Sequence, residues 1–134
     1  MTSQRLAKII KNVHEALSEV EDLIVAYVFG SAATGKEHAF SDIDVAILLK
    51  EPSIDKTMKI HSLLTKQLGD KVETLLLNLA PPYLQYQVIK NGIRVLTKDE
   101  NARITFEAKA LSEGLDEAFL LQKTKEAIAR RLQT

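Results

Sequence analysis

Two aspartates one residue apart, Asp42 and Asp44, open the apolar stretch DIDVAILL, and the pair Gly30-Ser31 closes the apolar run that precedes it. On a strand, residues two apart project to the same face with Cα atoms about 6.5–7 Å apart, so Asp42 and Asp44 point together while Ile43 turns into the core. Two carboxylates this close repel each other and lose hydration, and a cation between them relieves both costs. Aligned carboxylate oxygens suit Mg²⁺, which binds through one or two carboxylates plus substrate phosphates. Gly30 lets the backbone approach a ligand closely and adopt unusual dihedrals, and Ser31 adds a hydroxyl. Free N–H groups after such a turn form an anion site. A phosphate cradle facing a carboxylate pair grips a Mg²⁺-triphosphate from both ends. Glu73, early in DKVETLLLNL, completes a set of three acids if its strand lies beside the DIDVAILL strand. Two metal ions about 3.5–4 Å apart can then stabilise the attacking and leaving oxygens of an in-line displacement.

The elements that must position these residues follow from the apolar pattern. Leu6, Ile9, Ile10, Val13, Leu17 and Val20 share one helical stripe, with Ser3 as N-cap. Leu23 to Phe29 reads as a buried strand ending at Gly30, and Ser31 to Ser41 as a connection with one helical turn. Asp42 to Leu49 is the second strand. Pro52 and Ser53 open a helix through Leu68, with Ile54, Met58, Leu64 and Leu68 on a common face and Gly69 as its stop. Val72 to Leu79 is the third strand. Pro81-Pro82 begins a short helix that Asn91-Gly92 ends, and Ile93 to Leu96 is a short fourth strand. From Asp99 the pattern is helical with an interruption near Gly114, giving the order α-β-β-α-β-α-β-α-α. The expectation is one α/β (α+β) domain over residues 1–134, a small mixed sheet flanked by helices, with a core at about 23–96 and a helical segment at about 99–132.

Composition narrows the partners. Lys plus Arg and Asp plus Glu number 18 each, a neutral balance that disfavours general nucleic-acid binding. There are no cysteines, which fits a reducing compartment and excludes thiolate metal sites. The first twenty residues read as an amphipathic helix rather than a signal peptide, and no apolar run approaches the roughly 20 residues of a membrane span. The expected location is the cytoplasm, without membrane association.

With these residues in place, GSAATGKEHAFSDID resembles the Gly-Ser, ten-residue spacer, Asp-x-Asp signature of the DNA polymerase β-like nucleotidyltransferase superfamily. The lead-in YVFGS, the strand SDIDVAILL, the later acidic strand with LNLAPP and the turn NGIRVL resemble its smallest branch, the minimal nucleotidyltransferases. The likeness runs from Val25 to Leu96, and more weakly through FEAKALSEGLDE. It implies Mg²⁺-dependent transfer of a nucleotide from a nucleoside triphosphate, ATP by expectation, with release of pyrophosphate. Gly30 and Ser31 would hold the triphosphate, Asp42 and Asp44 would bind two Mg²⁺ ions, and Glu73 would take the third-acid position. Two departures stand out: Thr34 occupies a place where many relatives carry Arg, and Glu73 is one methylene longer than the usual Asp.

The resemblance also implies a partner. Minimal nucleotidyltransferases are often paired with a small helical HEPN toxin, on which the antitoxin can adenylylate a tyrosine. Alternatives are a non-catalytic antitoxin that neutralises by binding, and transfer to a small molecule. An oligomer is compatible with everything above. Other polar residues read more plainly: Lys36 and His38 as exposed loop, Tyr83 and Tyr86 as packing residues, and Lys123, Lys125, Arg130 and Arg131 as a solvated face. His14, His38 and His61 are too scattered for a zinc site.

Overall fold

A computed structural model describes residues 4–30, 33 and 42–133. Its centre is a four-stranded sheet in the order β3-β2-β1-β4, with β1 at Leu23–Phe29, β2 at Ile43–Leu49, β3 at Val72–Leu76 and β4 at Ile93–Thr97. β1 runs antiparallel to β2 and β4, whereas β2 and β3 are parallel. A parallel pair needs a long crossover, and helix α2 (Ile54–Leu68) supplies it. Ser53 caps that helix through its hydroxyl, which accepts from the Lys56 N–H at 3.1 Å. Gly69 stops it, with its N–H donating to the Thr65 carbonyl at 2.8 Å.

Alternation along the strands divides the core in two. On one face Val28, Ile43, Val45 and Ile47 pack with Leu6, Ile9, Val13 and Leu17 of α1 (Gln4–Leu17) and with Ile60 and Leu64 of α2. On the other, Tyr27, Ala46 and Leu48 pack with Leu84 and Val88 of α3 (Pro82–Asn91) and with Ala102 and Phe106 of α4 (Glu100–Leu132). The mixed sheet between helices is the expected α/β architecture. Among the described residues, no helix is long and apolar enough to cross a membrane.

Three local readings need correction. Strand β3 stops at Leu76 rather than Leu79, because residues Leu77–Leu79 turn into a 3₁₀ helix. There the Asn78 side chain replaces backbone pairing: its amide oxygen accepts from the Leu49 N–H at 2.9 Å and its NH₂ donates to the Leu49 carbonyl at 2.8 Å. Gly114 does not interrupt the last helix, which is continuous over 33 residues. A side chain at Gly114 would collide with Tyr86, so the glycine marks where α4 crosses closely over α3. Finally, α2 buries Ile60 and Leu64, while Ile54 and Met58 are 72% and 64% exposed. Ser3, the expected N-cap, lies outside the described residues.

Candidate active site

The sheet brings Asp44 and Glu73 to one end of one face, with Asp42 just ahead of β2. Asp44 stands in register between Phe29 of β1 and Glu73 of β3. Its parity on β2 matches Ala46 and Leu48, so it belongs to the face covered by α3 and α4. Asp42 precedes the strand and is exposed, and Ile43 between them is buried in the opposite core. The sequence pattern therefore placed Asp44 and Glu73 on their strands, whereas Asp42, read as the first residue of its strand, lies just before it. The condition for Glu73 to join the two aspartates, that β3 lies beside β2, is met.

Gly30 completes the contact. It ends β1 with φ at +73°, in the left-handed region that favours glycine, and a Cβ at this position would strike Oδ2 of Asp44. Glycine is required here twice, by the backbone and by the carboxylate beneath it. Ser31 lies outside the described residues, as do Thr34, Lys36, His38 and Ser41.

Electrostatics mark Asp44 as the crowded member. Burial first, then the adjacent Glu73 carboxylate and Asp42, push its carboxyl from the ordinary 3.8 up to about 6. Part of the Glu73 effect is a hydrogen bond that only a proton between the two carboxyls can make. This donor set fits a hard divalent cation, which would remove the like-charge strain. Among the described residues, however, no three His, Cys, Asp or Glu side chains form a group able to hold a metal by themselves. Carboxylates of this kind take Mg²⁺ in company with substrate phosphate oxygens, which supply the missing ligands.

Sequence reasoning missed what borders Glu73. Thr57, Met58, His61 and Ser62 of α2 form a groove with Glu73 and Thr74 of β3. His61 Nδ1 and Thr74 Oγ1 lie 2.8 Å apart, a hydrogen bond joining the helix to the strand. The signal was available: Ile60, Leu64 and Leu68 at four-residue spacing already define the buried stripe, and Met58 falls off it.

Residues 11–101, more than half of the chain, match the family model described as Polymerase beta, Nucleotidyltransferase. No curated protein matches the sequence. Solved structures do. A chain of a toxin–antitoxin crystal structure with AMP-PNP is 25% identical, with a TM-score of 0.65 over 96% of this chain and 98% of that one. A chain of a mutant MntA–HpeT toxin–antitoxin structure is 26% identical, with a TM-score of 0.64 over 96% and 97% of the two chains. A chain from the complex of tri-AMPylated Shewanella oneidensis HEPN toxin with MNT antitoxin shares the fold at 23% identity, with a TM-score of 0.59 and full coverage of both chains.

Proposed function

The chain belongs to the polymerase β nucleotidyltransferase family, and from that premise we propose that it moves AMP from ATP onto a hydroxyl of a HEPN-type partner, acting as the antitoxin of a cytoplasmic pair. We read residues 1–134 as one nucleotidyltransferase unit. The observation that carries the reading is the junction of Gly30, Asp44 and Glu73. A glycine turn that admits no side chain lies directly against a carboxylate crowded by a second one on the adjoining strand.

In this reading Asp42 and Asp44 would hold two Mg²⁺ ions, and Glu73 would support the ion on the acceptor side. When bound, the ions would neutralise phosphate charge and stabilise the entering and leaving oxygens. Gly30 and Ser31 would fix the β and γ phosphates through backbone N–H groups and the serine hydroxyl. The acceptor oxygen bonds to the α-phosphorus as the bond to the β-phosphate oxygen breaks, pyrophosphate leaves, and the hydroxyl proton passes to a carboxylate such as Glu73 or to water. Positioning and charge neutralisation supply most of the rate. The nucleotide is supported by a similar chain seen with AMP-PNP, and the acceptor class by one seen in complex with an AMPylated HEPN toxin.

The test incubates the purified protein with Mg²⁺ and α-labelled ATP, with and without its HEPN partner. Label should appear on the partner and vanish with Asp44→Ala or with chelation of Mg²⁺. Neutralisation of the partner that survives combined Asp42→Ala and Asp44→Ala would refute transfer as the mechanism and leave an antitoxin that acts by binding.

A further inference from the structure

We propose that the outer edge of β3, with the groove between it and α2, receives an extended segment of the acceptor polypeptide as an added strand. This rests on the reading that the chain modifies a protein hydroxyl, and it specifies how that protein is presented.

The sheet ends on β3, and among the described residues no strand pairs with its outer side. The inward-facing set is fixed by Lys71, whose carbonyl accepts from the Ile43 N–H at 2.7 Å. Backbone groups alternate sides with a period of two, so Glu73 and Leu75 bond towards β2 while Val72, Thr74 and Leu76 turn N–H and C=O outwards. An unpaired edge is a template for another chain, and β-strand addition is a common way of seizing a peptide.

The edge also has walls suited to side chains. Met58 is 64% exposed and Ile54 one turn before it 72% exposed, leaving apolar surface on α2. Met58 lines the groove, and the His61–Thr74 hydrogen bond holds helix and strand together across its floor. Glu73 belongs both to this groove and to the acid cluster, so a segment lying there runs alongside Glu73, with Asp44 one strand further in. The opposite edge, β4, is separated from β2 by β1, and a segment docked on it would not adjoin the acids. An added strand sits about 4.8 Å from β3 and so roughly 10 Å from β2. A hydroxyl on a long side chain such as tyrosine reaches farther across that gap than a serine hydroxyl does.

The probes are a pool of short unstructured peptides with a central tyrosine, Mg²⁺ and α-labelled ATP. Hydrogen exchange reads docking independently of transfer: the peptides should slow exchange of the Val72, Thr74 and Leu76 amides, which bond outwards. Met58→Arg, at an exposed position that leaves the fold intact, should raise the peptide KM at least about tenfold and leave ATP affinity within about twofold. Of two peptide series N-methylated on alternate amides, one should lose labelling and the other keep it. Labelling without protection of those amides, or equal labelling of both methylated series, would overturn the docking edge and leave transfer standing. Protection without labelling would retain the edge and remove the transfer reading. Neither protection nor labelling would overturn the edge.

Discussion

The two faces of β2 are made from alternate residues of one strand, yet they do different work. Ile43, Val45, Ile47 and Leu49 face α1 and α2 and are buried along the strand's whole length. Asp44, Ala46 and Leu48 face α3 and α4, and that face changes from apolar to acidic within a single step of the pleat. The first face keeps the sheet in place. The second uses the rigidity so gained to hold a carboxylate beside Gly30 and Glu73, where its charge is disfavoured. Stability and chemistry are thus separable by parity, which substitutions can test.

The largest expected effect divides Asp44 from Ile47. Asp44→Ala should reduce labelling of the acceptor by at least about a thousandfold, as expected when a metal-holding carboxylate is lost from a site that works by electrostatics. It should not lower the unfolding midpoint at neutral pH, because it removes a crowded charge. Ile47 is fully buried, and Ile47→Ala should cost about 2–5 kcal/mol in denaturant titration while activity per folded molecule persists. An unfolding midpoint that dropped for Asp44→Ala as far as for Ile47→Ala would erase the division.

Gly30→Ala should affect both quantities at once, since Gly30 lies where the faces meet. A Cβ at φ +73° is strained and would also push the Asp44 carboxylate aside. Displacement of a catalytic group by about 1 Å can cost roughly a hundredfold in rate, and a loss of that order is expected. Gly30→Ala combined with Asp44→Asn should be no slower than Asp44→Asn alone. A further drop in rate would mean that Gly30 acts through something other than this contact.

Much of this was legible in the sequence because it depends on local period and spacing. Asp42, Ile43 and Asp44 declare their faces by alternation. Ser53 and Gly69 bound α2 as caps do, and Gly30 ends its strand where expected. What escaped depends on contacts between distant segments. Asn78 looks like ordinary strand, and only its two hydrogen bonds to Leu49, 29 residues earlier, show that the strand has ended. Gly114 looks like a break because its partner, Tyr86, lies on another helix. Met58 falls off the stripe of Ile60, Leu64 and Leu68, but the groove it lines depends on where β3 falls.

Asn78 offers a smaller and purely structural contrast with the acids. It lies beyond the end of β3 farther from Glu73 and holds the end of β2 through both of its amide groups. Asn78→Ala leaves the Leu49 N–H and carbonyl without these partners and should cost about 1–3 kcal/mol in thermal or denaturant unfolding. Labelling per folded molecule should stay unchanged. A loss of labelling without a loss of stability would place Asn78 in the site rather than in the frame.

The smallest effect is the pH dependence that Asp44 gives the metal-free protein. Its carboxyl titrates near the ordinary 3.8 in the unfolded chain and at about 6 in the folded one. Between those values the folded state holds a proton that the unfolded state has released, so stability falls as pH rises. The contribution is fully present below about pH 4 and is lost as pH passes through 6, the reverse of a salt-bridged carboxylate. Other groups titrate in the same window, so the informative quantity is the difference between the wild type and Asp44→Asn. That difference should be small near pH 4 and should grow in favour of the variant up to about pH 7, as followed by urea unfolding at each pH. Mg²⁺ should narrow it at pH 7 and do little at pH 4, where the proton already plays the cation's part. A difference that stayed flat with pH would mean that Asp44 and Glu73 do not crowd each other, and the acidic end of this face would lose its physical distinction from the apolar one.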